Sequence, residues 1–164
     1  MANLIDPTEL MFNSFEPKVA NRLIMYVDGI PSYLIRKAQR PTFKNGEQPL
    51  KHMNTQRFIK GRSEWDPISG IELYDPIVPS GAQAVMEWVR LHHESVTGRY
   101  GYAAMYKKDI DIHMLGPVGE KVEQWTLKGA FITNASFGDI SWEEDGTPMI
   151  ITLDLRFDHC ILQY

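Results

Sequence analysis

The sequence is short of several things, and each shortage narrows the field. It holds one cysteine, Cys160, in 164 residues, so no internal disulfide can staple it, as expected of a reducing compartment. No apolar run approaches the roughly 20 residues that cross a bilayer as a helix, so no membrane anchor is expected. Met1 to Leu10 has no basic start and carries Asp6 and Glu9, unlike a secretory leader. Cations are outnumbered by acids, 17 against 21, for a net charge of −4 at pH 7. Tight binding of nucleic acid regardless of sequence rests on neutralising phosphates with a basic stripe, and the whole-chain balance argues against it. Repeats and low-complexity segments are missing as well. With 43% hydrophobic and 23% charged residues, the composition is that of a folded domain. The length suits one domain over 1–164.

Catalytic signatures are missing too. There is no glycine-rich phosphate loop, HExxH, GxSxG or paired CxxC. His92 and His93 are adjacent on an expected helix, pointing about 100° apart, so they cannot grip one metal together. His92 shares a face with Val89 and reads as a packed residue. Asp109, Asp111 and His113 alternate on one strand face, where two carboxylates and an imidazole suit a divalent ion. A metal-dependent hydrolase on those residues is the enzymatic alternative, and a plain polar strand face is the simpler reading. Arg156 lies between Asp154 and Asp158 and neutralises both. His159 and Cys160 are strand neighbours that point to opposite faces, so they do not make a nucleophile pair. Asn134-Ala-Ser136 matches a glycosylation acceptor, incidental without a secretory leader. The expectation is a structural or binding protein with no cofactor, metal or catalytic residue.

What is present is mostly β pattern. Residues 1–20 read as an arm whose apolar residues Leu4, Ile5, Leu10, Met11, Phe12 and Phe15 dock on something, with a short helix near Glu9 to Ser14. Arg22 to Val27 reads as a strand apolar on both faces, and Asp28-Gly29 as a hairpin turn that pairs Tyr33 to Arg36 back onto it. Residues 40–70 read as a long polar loop, in which Lys51 to Phe58 forms one strand. Ile71 to Val78, interrupted by Pro76, reads as an edge strand. Ser80 opens a helix over 81–96: Ser80 and Gln83 form a capping box, Ala82, Val85, Met86, Val89 and Val96 make its apolar stripe with Trp88 beside it, and Gly98 caps its end. The region 108–160 alternates with period two, most cleanly at Ile151, Leu153, Leu155 and Phe157. Many strands and one helix predict a mainly β fold (α+β), an antiparallel sandwich or barrel with one flanking helix.

Charge is distributed unevenly. Arg36, Lys37, Arg40, Lys44, Lys51, Arg57, Lys60 and Arg62 fall in one stretch whose only acid is Glu47. An acidic chain thus carries a basic segment.

The stretch Trp125-Thr-Leu-Lys-Gly-Ala-Phe-Ile-Thr-Asn134, followed by Ser141-Trp142 and Ile151-Thr-Leu-Asp-Leu-Arg-Phe157, resembles the tail tube proteins of contractile-tailed bacteriophages. The helix with Trp88 in its second turn and the unit Leu23 to Leu34 extend the resemblance over about Arg22 to Phe157. It implies a non-enzymatic virion protein of the tail, assembled in the host cytoplasm. Hexameric rings join their sheets into a continuous barrel and stack head-to-tail into an inner tube. Its partners would be copies of itself, the tail sheath protein, a baseplate or tube initiator, the tape measure protein and the tail terminator. Phage DNA would pass the lumen during genome ejection without specific binding. The loop at 40–70 would reach the neighbouring ring, where Arg40, Lys44, Lys51, Arg57, Lys60 and Arg62 meet Glu143, Glu144 and Asp145. Asp109, Asp111, Asp154 and Asp158 would face the lumen and repel phosphate. Type VI secretion tubes, bacteriocin tubes and tube-capping baseplate proteins share the implied fold and are the alternatives.

Overall fold

A computed structural model of the chain describes residues 16–143 and 146–163. The expected arm helix near Glu9 to Ser14, and the acids Glu144 and Asp145, lie outside the described residues.

The strands are β1 (Leu23–Val27), β2 (Ile35–Lys37), β3 (Phe43–His52), β4 (Thr55–Trp65), β5 (Ile68–Tyr74), β6 (Lys108–Leu115), β7 (Lys121–Ser136), β8 (Ile150–Arg156) and β9 (His159–Leu162). Two helices, α1 (Gly81–His92) and the one-turn α2 (Ala103–Tyr106), separate β5 from β6. Seven strands form one antiparallel sheet in the order β1-β6-β7-β8-β5-β2, with β9 also on β7. The sheet folds over almost into a barrel, the mainly β architecture expected from the sequence. β3 and β4 pair only with each other.

Period-two alternation builds the interior. Ile110, Ile112 and Met114 on β6, and Ile151, Leu153 and Leu155 on β8, turn inward with Met25, Val27, Ile68, Ile71, Leu73 and Leu127. Removing apolar surface of this kind from water is the main force holding the fold. Helix α1 closes one flank with Val85 and Trp88, both buried. Trp88 donates its indole N–H to the Tyr106 carbonyl at 2.7 Å, so the ring's one polar atom is satisfied.

Strand β7 organises the two halves. Its first part pairs with β6 and β9, its second with β8. The bend falls at Gly129, whose φ of +66° belongs to the left-handed region, where a Cβ is strained. A Cβ there would also lie 2.3 Å from Asp158 Oδ2. Gly129→Ala should therefore cost about 2 kcal/mol and lower the melting temperature by roughly 4–8 °C; an unchanged thermal melt would refute this account of the bend. Beyond it, Thr133 Oγ1 donates to the Asp154 carbonyl at 3.1 Å and Asn134 Nδ2 to Asp154 Oδ2 at 3.1 Å. Within the stretch Trp125 to Asn134, Lys128-Gly129 thus marks the bend and Thr133-Asn134 the tie to β8.

Several expectations need correction. Asp28-Gly29 does make a tight turn, with Ile30 N–H on the Val27 carbonyl, but no hairpin follows. β1 pairs with β6 and β2 with β5, because the chain crosses to the other half of the sheet. β1 buries one face only, Met25 and Val27, and leaves Tyr26 exposed. β5 is an interior strand between β2 and β8, not an edge, since Pro76 lies beyond its end. The stretch 40–70 is no loop, and Lys51 to Phe58 is not one strand: it contains the turn between β3 and β4. Helix α1 ends at His92, and Gly98 closes a separate turn by donating to the Glu94 carbonyl at 2.8 Å. Val96, beyond the helix, is exposed, and Trp88 sits at the centre of the buried stripe. Ser80 caps the helix as expected, accepting from the Gln83 N–H, while the Gln83 side chain reaches Glu87 instead of the cap.

Candidate functional site

The feature that departs most from an ordinary small domain is the β3–β4 hairpin. Its root is fixed. Phe43 and Trp65 pack as a tilted pair with ring centroids 4.7 Å apart, and Trp65 packs on the core near Phe157. Lys44 Nζ bonds Asp66 Oδ2 at 2.8 Å, and Asp66 N–H donates to the Thr42 carbonyl at 2.9 Å. The hydrogen bond that Lys44 donates to the Asp66 carboxylate holds its ammonium above its ordinary pKa. Gly46 and Gly61 face each other where the backbones run too close for side chains: a Cβ at Gly46 would sit 2.4 Å from the Arg62 carbonyl oxygen. Beyond the root nearly every residue is exposed, including Leu50, Met53, Phe58 and Ile59. A two-stranded hairpin is marginal in water when nothing covers it.

The six cations expected to act here divide into two groups. Arg40 and Lys44 at the root are engaged, Arg40 with Glu123 Oε1 at 3.6 Å and Lys44 with Asp66. Lys51, Arg57, Lys60 and Arg62 make no ion pair among the described residues. Of the acids expected to meet them, Glu143 is exposed, its backbone N–H on Ser141 Oγ at 3.2 Å.

Sequence reasoning missed Glu123. It sits on β7 with 5% of its surface exposed, and a buried carboxylate is costly unless paired. Lys18 and the Trp125 indole N–H both donate to it, and Arg40 lies alongside. Burial pushes its pKa up, but the bonds from Lys18 and Trp125 outweigh this and hold the carboxyl below its ordinary value. One acid thereby ties the N-terminal segment and the hairpin root to the sheet. No local pattern marks it, because the partners come from distant parts of the chain.

The four aspartates expected at a lumen are not one cluster. Asp109 and Asp158 flank Gly129. Asp109 pairs with Lys128 at 2.6 Å and accepts from the Gly129 N–H, which lowers its pKa, and Asp158 pairs with Lys107 at 2.8 Å. Asp111 accepts from Thr126 Oγ1 at 2.5 Å. Asp154 lies in the other half of the sheet, accepting from the Gly70 N–H at 2.9 Å and from Asn134. Arg156 makes no ion pair with Asp154 or Asp158 among the described residues, contrary to expectation. His113 is turned against the Tyr26 ring, centroids 5.1 Å apart, its Nε2 buried without a hydrogen-bond partner. Burial holds its imidazole below the usual pKa. Burial also pushes the Cys160 thiol up to about 11, a poor nucleophile at neutral pH. His92 packs edge-on to Tyr106 at 4.7 Å.

No family model and no curated protein matches the sequence. Solved structures do match the fold. A chain from the cryo-EM structure of the PVC sheath/tube terminator in its extended state, an extracellular contractile injection system, superposes with a TM-score of 0.74 at 16% identity, over 92% of this chain and 99% of that one. A chain of the anti-feeding prophage tube-terminating cap gives 0.69 at 15% identity, over 93% and 95%. One from the PVC sheath-tube complex in the extended state gives 0.65 at 15% identity, over 98% and 99%. The class this defines is a fold: that of chains built into the tube and terminator assemblies of contractile injection systems. The correspondence covers nine-tenths or more of both chains in each case.

Proposed function

We propose that this chain is a structural, non-enzymatic subunit that stacks as hexameric rings into the inner tube of a contractile tail, inside a sheath. The observation that carries the reading is the hairpin: on a fold of this class, a rigidly rooted arm exposes apolar residues together with four cations that make no ion pair among the described residues. Head-to-tail stacking supplies a partner at every level and generates an open filament. The cations Lys51, Arg57, Lys60 and Arg62 then meet Glu143, Glu144 and Asp145 of an adjoining subunit. In a bacteriophage the lumen conducts DNA at genome ejection. Asp111 and Asp154, whose partners are uncharged, carry most of the repulsive sign there, since lysines balance Asp109 and Asp158. The sheath, a baseplate initiator, a tape measure protein and a terminator complete the set of partners. A second reading is favoured by the neighbours' own descriptions: a tube or tube-capping component of an extracellular contractile injection system.

Negative-stain electron microscopy of the purified protein across a concentration series, with added baseplate as the template, tests this. Rings or hollow tubes of uniform bore are the expected result. Single rings that never stack would turn the reading toward a cap. Monomers alone, even with the template, would overturn it.

A further inference from the structure

We propose that His113 is an acid trigger built into the sheet: a proton on its imidazole displaces Tyr26 and loosens β1 from β6. The inference concerns the folded subunit itself and holds whether or not the subunit polymerises.

His113 lies on the face of β6 opposite to Ile110, Ile112 and Met114, which belong to the core. β1 and β7 flank it, with Ile24 and Gln124 paired directly beside it. Its Nε2 is buried and has no hydrogen-bond partner among the described residues. Such an atom is rare in a folded chain and calls for a reason. A neutral imidazole tolerates it, because one ring nitrogen is then a bare acceptor. On the cation both nitrogens carry a hydrogen, so Nε2 becomes a buried donor with nothing to accept from it, at the full cost of its desolvation. Tyr26 packs against the imidazole edge to face, ring centroids 5.1 Å apart. The attraction of a tyrosine ring for a part-exposed cation is smaller than the cost of an unsatisfied buried donor.

The charged groups around the ring do not offset that cost. Asp111 and Asp109 share its face of β6, but Asp111 accepts from Thr126 Oγ1 at 2.5 Å and Asp109 pairs with Lys128 at 2.6 Å. β7 also brings Lys121, whose Nζ donates to Gln124 Oε1 at 2.7 Å. From the β1 side come Tyr26 and, by the same alternation just before the strand, Arg22. Burial is the largest influence and Lys121 adds to it; together they outweigh Asp111 and hold the imidazole below its usual pKa. No three of His, Cys, Asp or Glu among the described residues converge to hold a metal ion. β1 is where the strain is released. It ends the sheet order and pairs with no strand but β6, whereas β6 is paired on both sides. Tyr26 is 47% exposed, so its ring can swing into water and open the imidazole to solvent. The pairing of Ile24 with His113 and of Tyr26 with Asp111 weakens as it does so.

The folded chain takes up this proton less readily than the unfolded one. Stability from this group is therefore complete above the ordinary value of 6.5, falls as the pH drops from there to the folded value, and is level below it. Hydrogen exchange of the full-length protein, read by mass spectrometry at pH ~7 and pH ~5, tests the trigger above the range in which Glu123 titrates. Peptides from β8 correct for the intrinsic pH dependence of exchange. The expected result is that β1 loses protection relative to β8 in acid, and that His113→Phe and His113→Gln, which cannot take the proton, keep it. An NMR titration of His113 should give a midpoint below 6.5 that moves up in Tyr26→Ala, where no ring packs against the imidazole. A wild-type midpoint at or above 6.5, or one unmoved in Tyr26→Ala, would overturn the trigger. So would equal β1 protection at the two pH values, or the same acid loss in the His113 variants. Rings and tubes are scored separately at neutral pH, so a failure here leaves the tube reading intact.

Discussion

Reversing the charge at Arg57, Lys60 and Arg62 together, each to Glu, should abolish tube growth and leave a folded subunit. None of the three makes an ion pair within the described chain, and all three are exposed. Exposed substitutions of that kind change stability by about 0.5 kcal/mol or less each, so the melting temperature should hold within a few degrees. Association is another matter. An exposed ion pair contributes roughly 0.2–1 kcal/mol, and reversal replaces attraction by repulsion of similar size. In the proposed tube every subunit of a ring would repeat the loss at the same step, so small terms would multiply at each added ring. Arg40 and Lys44 are left out of the variant because Glu123 and Asp66 already hold them inside the chain. Wild-type growth should also slow as salt rises, since screening acts first on rim charges. Sedimentation and microscopy read the polymer, and a thermal melt reads the fold. Tubes of normal length from the reversed variant would show that the cations do not hold the rings.

The sequence announced its strands where one face is wet and the other dry. β8 alternates without a break from Ile151 to Phe157, and β6 does the same from Ile110 to Met114. The hairpin was illegible for the opposite reason. With both faces exposed there is no dry side to impose a period of two, and its turn, at Met53-Asn54, contains no glycine, though Met53 adopts a φ of +46°. The basic charge of the segment was plain, but its shape was not. Asp28-Gly29 was a true turn signal that misled about pairing, because turn chemistry is local while the choice of partner strand depends on which half of the sheet needs closing. Within 108–160 the alternation breaks at Gly129, yet β7 runs as one strand from Lys121 to Ser136 through that point. Side-chain partnership was the least legible level. Nothing near Asp109 predicts Lys128 any more than Glu123 predicts Lys18 and Arg40.

That last set gives the second large effect. Glu123→Gln should destabilise the subunit by about 1–3 kcal/mol and lower its melting temperature at pH 7 by roughly 2–12 °C. The amide keeps the shape of the side chain but not its charge, so Lys18 and Arg40 lose their common anchor, and the Trp125 N–H keeps only a neutral acceptor. Both cations are about half exposed and can return to water, which keeps the cost below that of stranding a buried charge. The pH dependence distinguishes a lost anion from a mere packing defect. The Glu123 carboxyl titrates below its ordinary value of 4.5 in the folded chain. Near and below that pH the unfolded chain binds the proton more readily, so stability rises with pH there. The contribution is complete above the unfolded value and disappears as pH falls through the folded one. The difference in melting temperature between wild type and Glu123→Gln should therefore be largest at neutral pH and shrink steadily as the solution is acidified toward pH ~3. A gap that stays constant across that range would mean the carboxylate's charge is not what binds the N-terminal segment and hairpin root to β7. Amide exchange in the hairpin should rise in the variant as well, because the link through Arg40 to the sheet is lost while the Lys44–Asp66 pair remains.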